Sequence, residues 1–234
     1  MARHIDLNAD LGEGVTDDAA LLAIVTSANV ACGYHAGSDE IMRAVCEQAA
    51  ERGVSVGAQV SYADREHFGR VARDVAPDVL RDQVADQVET LSSIAGAAGT
   101  RVRYVKPHGA LYHRVLDDEA QAAAVLEGSG SLPVLGMPGA LLRGAERAGR
   151  GVLLEGFPDG WSARDVMTWV MTGPPVADEK LARDRHSQHE RSHKGDDHGG
   201  HQQMDPRDPS SSGHQAATGL LAAASFNGAL SAAG

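Results

Sequence analysis

The chain has 234 residues and a formal net charge of −11, and 42% of its residues are hydrophobic but only 4% are aromatic. This length suits one domain, such as a parallel α/β barrel, whose core would have to consist of Ala, Val and Leu. The acidic balance argues against nucleic acid or an anionic membrane as a partner.

The sequence carries no sign of export or membrane insertion. No apolar run approaches about 18 residues, and no basic segment followed by an apolar one opens the chain. The two cysteines, Cys32 and Cys46, form no disulfide framework. We therefore expect a cytoplasmic location, with Cys32 as a buried small residue rather than an activated nucleophile.

Strands alternate with helices over the first part of the chain. The first half is predicted to contain a strand at 3–7, a short helix, a strand ending near Ala31, a helix at 38–53, a strand at 54–60 and a helix at 77–99. A strand at 101–106, a helix at 117–128, a strand at 132–137, a helix at 139–149 and a strand at 151–157 follow. The alternation predicts βαβ units, a parallel sheet and right-handed crossovers.

The pattern breaks after about Phe157. Residues 174–215 are polar and charged, and they include six of the eleven histidines: His186, His189, His193, His198, His201 and His214. Their composition cannot offset the entropy of ordering, so we predict disorder, with weak helix at most near the end. The irregular histidine spacing argues against a specific metal site there. We therefore divide the chain into a (β/α) barrel domain at 1–157 and a divergent low-complexity tail at 158–234.

Polar residues follow the predicted strands at the ends where a parallel α/β barrel places its active site. They are Asn8, Asp10 and Glu13 after the first strand, Asn29, Cys32, Tyr34 and His35 around the second, Gln59, Ser61, Tyr62, Asp64 and Arg65 at the third, Lys106, His108 and Tyr112 at the fourth, and Glu155 at the sixth. Ordinary solvated loops seldom carry Tyr, His and Lys at successive strand ends. We therefore expect a catalytic or ligand-binding cleft.

Several of these residues also allow a structural interpretation. Asp10 and Glu13 could shape a turn, or could act as a base or hold a metal. His35 could cap backbone groups, or could serve as an acid, a base or a ligand. Lys106 precedes a proline that favours extended backbone, and a buried lysine requires a carboxylate or an anionic ligand. Because the Gly-x4-Gly-Lys-Ser/Thr motif is absent, a nucleotide would be held by another device or by a partner protein.

Five segments of the chain resemble the LamB/YcsF family in order and spacing. They are "IDLNADLGEG", "SANVACGYHAGSDEIM", "VGAQVSYADREHFGR", "YVKPHGALYH" and "GALLRGAERAG", and the resemblance extends over residues 3–157. It implies an incomplete (β/α) barrel like that of the polysaccharide deacetylases. It also implies a pocket lined by Asn8, Asp10, Glu13, His35, Asp64, Lys106 and His108.

The resemblance further implies the role of the A subunit in an ATP-dependent 5-oxoprolinase. With the B and C subunits as partners, it would open the lactam of 5-oxoproline to L-glutamate with ATP hydrolysis. The expected cofactors are ATP and a divalent metal such as Mg²⁺. Phosphorylation of the lactam oxygen would require a nearby cation, and the attacking water would require a base. We expect Asp10, His35, Lys106 and His108 to be catalytic, and Asn8, Glu13, Asp64, Arg65 and Tyr112 to bind substrate.

The sequence departs from the family at two places. Gln59-Val60 stands where many members have His-Pro, so a metal that used this imidazole would lack a ligand here. Beyond Phe157, the family's Ala-Asp-Arg and His-Gly-Asp motifs are absent, which predicts out-of-frame translation after about this residue. Two alternatives therefore stay open: a metal-dependent amidase or deacetylase acting on small amides or sugars, and a truncated remnant that binds partners without turnover.

Overall fold

In the computed structural model, the described residues are 5–156 and 222–226, which belong to one compact unit. Their strands are β1 Ile5–Leu11, β2 Ser27–Ala31, β3 Ser55–Val60, β4 Val102–Pro107, β5 Val134–Gly136, β6 Val152–Gly156 and β7 Ala222–Phe226. Their helices are α1 Asp18–Leu22, α2 Asp39–Arg52, α3 Pro77–Ala97, α4 Gly109–Asp117, α5 Glu119–Gly128 and α6 Ala140–Arg147.

The strands form a ring in chain order. Each strand from β1 to β6 is parallel to the next, with helices in the connections between them. This arrangement confirms the predicted α/β class and the curved parallel sheet of an incomplete (β/α) barrel. β7 is antiparallel to both β1 and β6 and closes the ring between them.

β7 corrects the prediction of weak helix at most near the end of the chain. Its residues pair with β1 from Ile5 to Ala9 and with β6 from Leu154 to Gly156. The segment is mostly alanine without hydrophobic alternation, so no strand signal is visible in the sequence. The backbone groups at the edges of β1 and β6 provide its hydrogen-bonding partners. The rest of the predicted tail lies outside the described residues, and its disorder and frame change stay predictions.

Two boundaries in the first part of the chain also differ from the prediction. β1 continues to Leu11, although the Asn-x-Asp-x-Gly segment favours a turn. It continues because β1 stays paired with β2 as far as Leu11, and Asn29 of β2, in register with Asp10, donates hydrogen bonds to both Asn8 and Asp10. α4 follows β4 directly, where the sequence indicated a strand exit alone.

One face of α2 contributes to the apolar core. Met42, Val45, Cys46 and Ala49 are the buried residues of α2. This helix starts at Ser38, whose side chain accepts a hydrogen bond from the Ile41 amide, and it ends at a left-handed glycine, as predicted. Cys32 is buried too, and burial raises the pKa of its thiol.

The helices between residues 5 and 156 are too short or too polar for a membrane span. None of these described helices combines the length and the apolar character that crossing a bilayer requires.

Candidate active site at the strand ends

The polar side chains that follow the strands meet inside the ring. Successive side chains of a strand face opposite ways, so alternate residues share one face. Those that meet on the inner face are Asn8 and Asp10 from β1, Asn29 from β2, Gln59 from β3, Tyr104 and Lys106 from β4, and Glu155 from β6. The connections that follow β1, β2 and β4 add Glu13, His35, His108 and Tyr112.

One part of this cluster is organised around the ammonium group of Lys106, and we call Asp10, Lys106, Tyr112 and Glu155 the lysine half. Lys106 Nζ donates to Asp10 Oδ1 at 2.9 Å and forms an ion pair with Glu155 Oε1 at 3.1 Å. The Tyr112 hydroxyl donates to Glu155 Oε2 at 2.7 Å. The side chains of Lys106 and Glu155 are 7% and 0% exposed, so their ion pair lies almost entirely out of water.

Burial and neighbouring charges fix the protonation states of the lysine half. Burial alone would raise the pKa of Asp10, but the charge of Lys106 and the nearby His108 ring hold it well below its usual range. Burial would lower the pKa of Lys106, but the charges of Asp10 and Glu155 raise it. At Glu155 burial dominates over the charge of Lys106 and raises the pKa. At neutral pH, Lys106 is therefore a fixed cation and Asp10 is a carboxylate.

Three uncharged side chains next to Asp10 form a hydrogen-bonded network centred on Asn29. Asn29 Nδ2 donates to Asn8 Oδ1 at 2.7 Å and to Asp10 Oδ1 at 2.9 Å. The Tyr104 hydroxyl donates to Asn29 Oδ1 at 2.6 Å. The absence of a side chain at Gly57 leaves room for the tyrosine ring, because a Cβ there would lie 2.2 Å from Tyr104 Cε2. Asp10 Oδ1 thus accepts two hydrogen bonds, while Oδ2 lies 3.7 Å from His108 Nδ1.

The other part of the cluster consists of Glu13, His35, Gln59 and His108, and we call it the histidine half. Gln59 Nε2 donates to Glu13 Oε1 at 3.1 Å and lies 2.8 Å from His108 Nδ1. His35 Nε2 lies 3.9 Å from Glu13 Oε1. The two imidazole rings are stacked, with centroids 4.2 Å apart and planes 17° from parallel.

The hydrogen bonds of His108 define its tautomer. An amide nitrogen can only donate, so the short contact with Gln59 Nε2 makes His108 Nδ1 the acceptor. His108 Nε2 lies 3.2 Å from the carbonyl oxygen of Phe68, which can only accept. In its neutral form, the His108 ring therefore carries its proton on Nε2 and presents the Nδ1 lone pair to Gln59 and Glu13.

His35 differs from His108 because it lacks hydrogen-bond partners. The residue is 1% exposed, yet neither of its ring nitrogens has a partner within hydrogen-bonding distance among the described residues. Burial lowers the pKa of His35 more than the neighbouring Glu13 raises it, so the ring is neutral at neutral pH. Gln59 Oε1 is also buried without a partner in this part of the chain. Buried polar atoms without partners are uncommon in folded proteins, so these atoms require an explanation.

Phe68 covers the two histidines. Its ring meets His35 and His108 edge-on, with centroid distances of 5.9 Å and 6.1 Å. Phe68 has a φ of 58°, in the left-handed region that a bulky residue seldom adopts. This conformation allows the residue to offer its carbonyl oxygen to His108 while its ring shields the imidazoles.

Asp64 and Arg65 make hydrogen bonds outside these two halves. Asp64 accepts from His67 Nδ1 at 2.9 Å and pairs with Arg73; burial would raise its pKa, but these partners lower it to about 2. The Arg65 guanidinium donates to the carbonyl oxygens of Gly33 at 2.6 Å and Gly37 at 3.0 Å. Both residues join loops that follow β2 and β3, and their predicted role in substrate binding stays a prediction.

The structure brings together seven of the nine predicted site residues: Asn8, Asp10, Glu13, His35, Lys106, His108 and Tyr112. It adds Asn29, Gln59, Tyr104 and Glu155, which were not among the predicted site residues. Three of these four stand at strand ends and carried that signal. The signal for Tyr104 was its position two residues before Lys106, which places both side chains on one face of β4.

The two halves differ in their suitability for a metal ion. Mg²⁺ takes oxygen ligands, but Asp10 and Glu155 each already contact the Lys106 ammonium, whose positive charge would repel a second cation, so this half does not fit a Mg²⁺ ion held by the protein. Among the described residues, one group of His, Cys, Asp and Glu side chains has its potential ligand atoms within 4.8 Å of one another, namely Glu13, His35 and His108. Two imidazoles and a carboxylate suit transition metals.

Comparisons with known proteins agree with this architecture. The chain is 61% identical to a Streptomyces avermitilis protein named as the A subunit of 5-oxoprolinase and 58% identical to its namesake from Streptomyces coelicolor, each over 165 residues. The match covers 66% of this chain and 66% of each relative. The crystal structure of the lactam utilization protein from Thermus thermophilus is similar, with a TM-score of 0.63 and 35% identity, covering 65% of this chain and 66% of that one.

A family profile matches more of the chain than these pairwise comparisons do. The profile of the LamB/YcsF family matches residues 5–202. The match includes every residue of the lysine half and the histidine half. The chain therefore belongs to the LamB/YcsF family.

Proposed function

We propose that this chain is the A subunit of an ATP-dependent 5-oxoprolinase, which opens the lactam of 5-oxoproline to L-glutamate together with its B and C subunits. The names of its relatives support a 5-oxoprolinase component, and an A subunit implies an assembly with other subunits. The observation that carries the proposal is the pairing of Lys106 with Asp10, which places a permanent cation beside a carboxylate that faces the cleft.

Asp10 is the most accessible of the four residues predicted to be catalytic. Its side chain is 25% exposed, compared with 7% for Lys106, 9% for His108 and 0% for His35. A substrate in the cleft would therefore meet Asp10 first. Because Oδ1 is already occupied by Lys106 and Asn29, Oδ2 is the oxygen that would accept a hydrogen bond from an attacking water.

The low pKa of Asp10 makes it a weak base, and this agrees with an activated substrate. A lactam is an unreactive amide, but transfer of the terminal phosphoryl group of ATP to its oxygen, with release of ADP, makes the ring carbon electrophilic. Water then adds to that carbon, and the ring C–N bond breaks as the nitrogen takes a proton. A second water hydrolyses the resulting acyl phosphate to the carboxylate and phosphate. Lys106 would stabilise the negative charge that accumulates near the oxygen.

ATP and Mg²⁺ are expected to enter this site together. Because the lysine half offers Mg²⁺ no free carboxylate pair, the ion would be held mainly by the nucleotide phosphates and water, as is usual for Mg²⁺ in phosphoryl transfer. A nucleotide site supplied by the partner proteins is consistent with the absence of a Gly-x4-Gly-Lys-Ser/Thr motif from this sequence.

The direct test reconstitutes the full chain with the B and C subunits and measures ADP and glutamate formation with 5-oxoproline present or omitted. We expect ADP release that depends on 5-oxoproline and on all three proteins. Asp10→Asn should reduce it by about 10²–10⁴-fold, the usual contribution of a positioned base. Arg147→Ala, at an exposed position of α6, is the matched control and should retain full activity. Absence of 5-oxoproline-dependent ADP release from the reconstituted complex would overturn the proposal.

A metal-dependent amidase or deacetylase is the second candidate function. It is favoured by the convergence of Glu13, His35 and His108, whose donor atoms could hold a metal that supplies a Lewis acid to an amide carbonyl. The two functions differ in their requirements. Amide cleavage by the chain alone, with a divalent metal and without ATP, would support this candidate and contradict the first.

A further inference from the structure

We propose that Glu13, His35 and His108 form a binding site for a divalent transition-metal ion such as Zn²⁺ or Co²⁺, and that Gln59 turns its amide oxygen toward the ion. The proposal does not rest on the 5-oxoprolinase role, because metal binding can be measured whether or not the chain cleaves a lactam.

The distances between the donor atoms are close to those of a metal site. Glu13 Oε1 lies 3.9 Å from His35 Nε2 and 3.7 Å from His108 Nδ1. In a tetrahedral site with metal–ligand bonds of about 2.0–2.1 Å, neighbouring ligand atoms are about 3.3–3.4 Å apart. Contraction by about half an ångström would therefore bring Glu13 Oε1 to this spacing from both imidazole nitrogens, which themselves lie within 4.8 Å of each other.

The unpartnered atoms of the histidine half indicate which groups would change on binding. His35 is almost fully buried, with no hydrogen bond from a described residue to either ring nitrogen, and Gln59 Oε1 is buried without a partner there. A cation between them would satisfy a ring nitrogen of His35 directly. It would satisfy Gln59 Oε1 after the amide rotates, since Gln59 currently points its nitrogen at Glu13 and His108. One ion thus accounts for buried atoms that no described residue satisfies.

The rings require one adjustment. A metal lies close to the plane of each imidazole that binds it, but the His35 and His108 rings are stacked with planes only 17° from parallel. His108 is held through Nε2 by the carbonyl of Phe68, a contact that binding of a metal at Nδ1 leaves intact, so it defines one axis of the site. His35 has no hydrogen bond to a described residue to lose, and rotation about its χ2 angle is soft. Rotation of His35 would therefore assemble the site.

The polar tail would obscure a simple measurement of metal content. It carries six histidines that can bind transition metals on their own. The experiment therefore uses the full-length chain with these six histidines replaced by asparagine as its background. Zn²⁺ and Co²⁺ are each added alone, excess ion is removed, and the bound metal is quantified by mass spectrometry. The visible spectrum of the Co²⁺ form reports the coordination geometry.

We expect one equivalent of metal per chain in this background and an absorption spectrum typical of low-coordinate Co²⁺. His35→Gln and Glu13→Gln should each weaken binding by at least ~10-fold, since loss of a direct ligand should exceed the effect of losing a residue that only orients a ligand. Gln59→Glu should tighten binding, because it adds an anionic ligand, whereas a purely structural role of Gln59 would give no gain. His113→Gln is the matched control for the general loss of an imidazole, and this variant should still bind one equivalent of metal.

A second readout protects the test against variants that fail to fold. A ligand that binds the native state raises the thermal midpoint with its concentration, so Zn²⁺ should raise it in the background chain and in His113→Gln, but not in His35→Gln. The proposal is overturned if the background chain retains no metal. It is also overturned if a folded His35→Gln chain retains the same equivalent with the same affinity.

Discussion

The lysine half and the histidine half lie side by side, but they satisfy their polar groups in opposite ways. In the lysine half, each charged group has an oppositely charged partner: Asp10 and Glu155 both contact Lys106, and Tyr112 donates to Glu155. In the histidine half, His35 and the amide oxygen of Gln59 are buried without partners among the described residues. The comparison indicates that the first half is held together by its own charges, with Glu155 Oε1 bound only through its ion pair with Lys106, whereas the second half leaves an imidazole without any hydrogen-bond partner among these residues.

The largest loss of stability, and the clearest test of this comparison, is expected for Lys106→Met. Removal of the ammonium leaves the buried Glu155 and the partly exposed Asp10 without their counter-charge, which should lower the free energy of unfolding by about 3 kcal/mol. Denaturation by urea would measure it. The double variant Lys106→Met/Glu155→Gln should recover part of the loss because it removes one of the unpaired charges. A loss below about 1 kcal/mol in the single variant would mean that the ion pairs do not stabilise the lysine half.

Tyr112→Phe should have an intermediate effect. It removes the hydroxyl that donates to Glu155 and leaves a buried carboxylate oxygen with one hydrogen bond fewer, at a cost of about 1–3 kcal/mol. Tyr34→Phe, at a less buried tyrosine in the loop after β2 whose hydroxyl interacts with Asp86, is the control and should cost less, about 1 kcal/mol at most. Equal effects of the two substitutions on the urea midpoint would argue against a special role for the contact between Tyr112 and Glu155.

His35→Leu should change the free energy of unfolding little, although His35 is at least as buried as Lys106. The ring makes no hydrogen bond to a described residue, so an apolar side chain of similar size should alter the free energy of unfolding by about 1 kcal/mol or less. The expected contrast with Lys106→Met is the strongest test of the difference between the halves. A loss as large as that of Lys106→Met, again measured with urea, would show that the histidine half is also completed by its own contacts.

The smallest effect is a dependence of stability on pH, and it arises from Asp64, which lies outside both halves. The pKa of Asp64 is about 2 in the folded chain and ordinarily 3.8, so its pairing with His67 and Arg73 stabilises the fold fully above about pH 4. This contribution is lost as the pH falls through about 2. Asp64→Asn should therefore have a lower thermal midpoint than the parent chain at about pH 5, and the difference should shrink toward about pH 2. A difference that stays constant over this range would contradict the assignment.

The sequence was sufficient to predict the elements whose signals are local. The cap at Ser38 and the proline at the start of α3 mark helix boundaries that the structure has at the same places. Lys106 and His108 stand at the end of β4 and directly after it, which is why a cleft could be predicted there. β7 could not be predicted, because its pairing depends on the edges of two strands far away in the chain.

The sequence by itself determined the α/β class, the family membership and the set of polar residues at the strand ends, because periodicity, capping and motif spacing are local properties. The tertiary structure alone decided how those residues divide into two halves. Lys106 meets Asp10 across 96 positions of sequence, and Gln59 meets His108 across 49. Such contacts follow from strand register and ring closure, so only the folded chain shows which carboxylates are neutralised and which imidazole is left without a partner among the described residues.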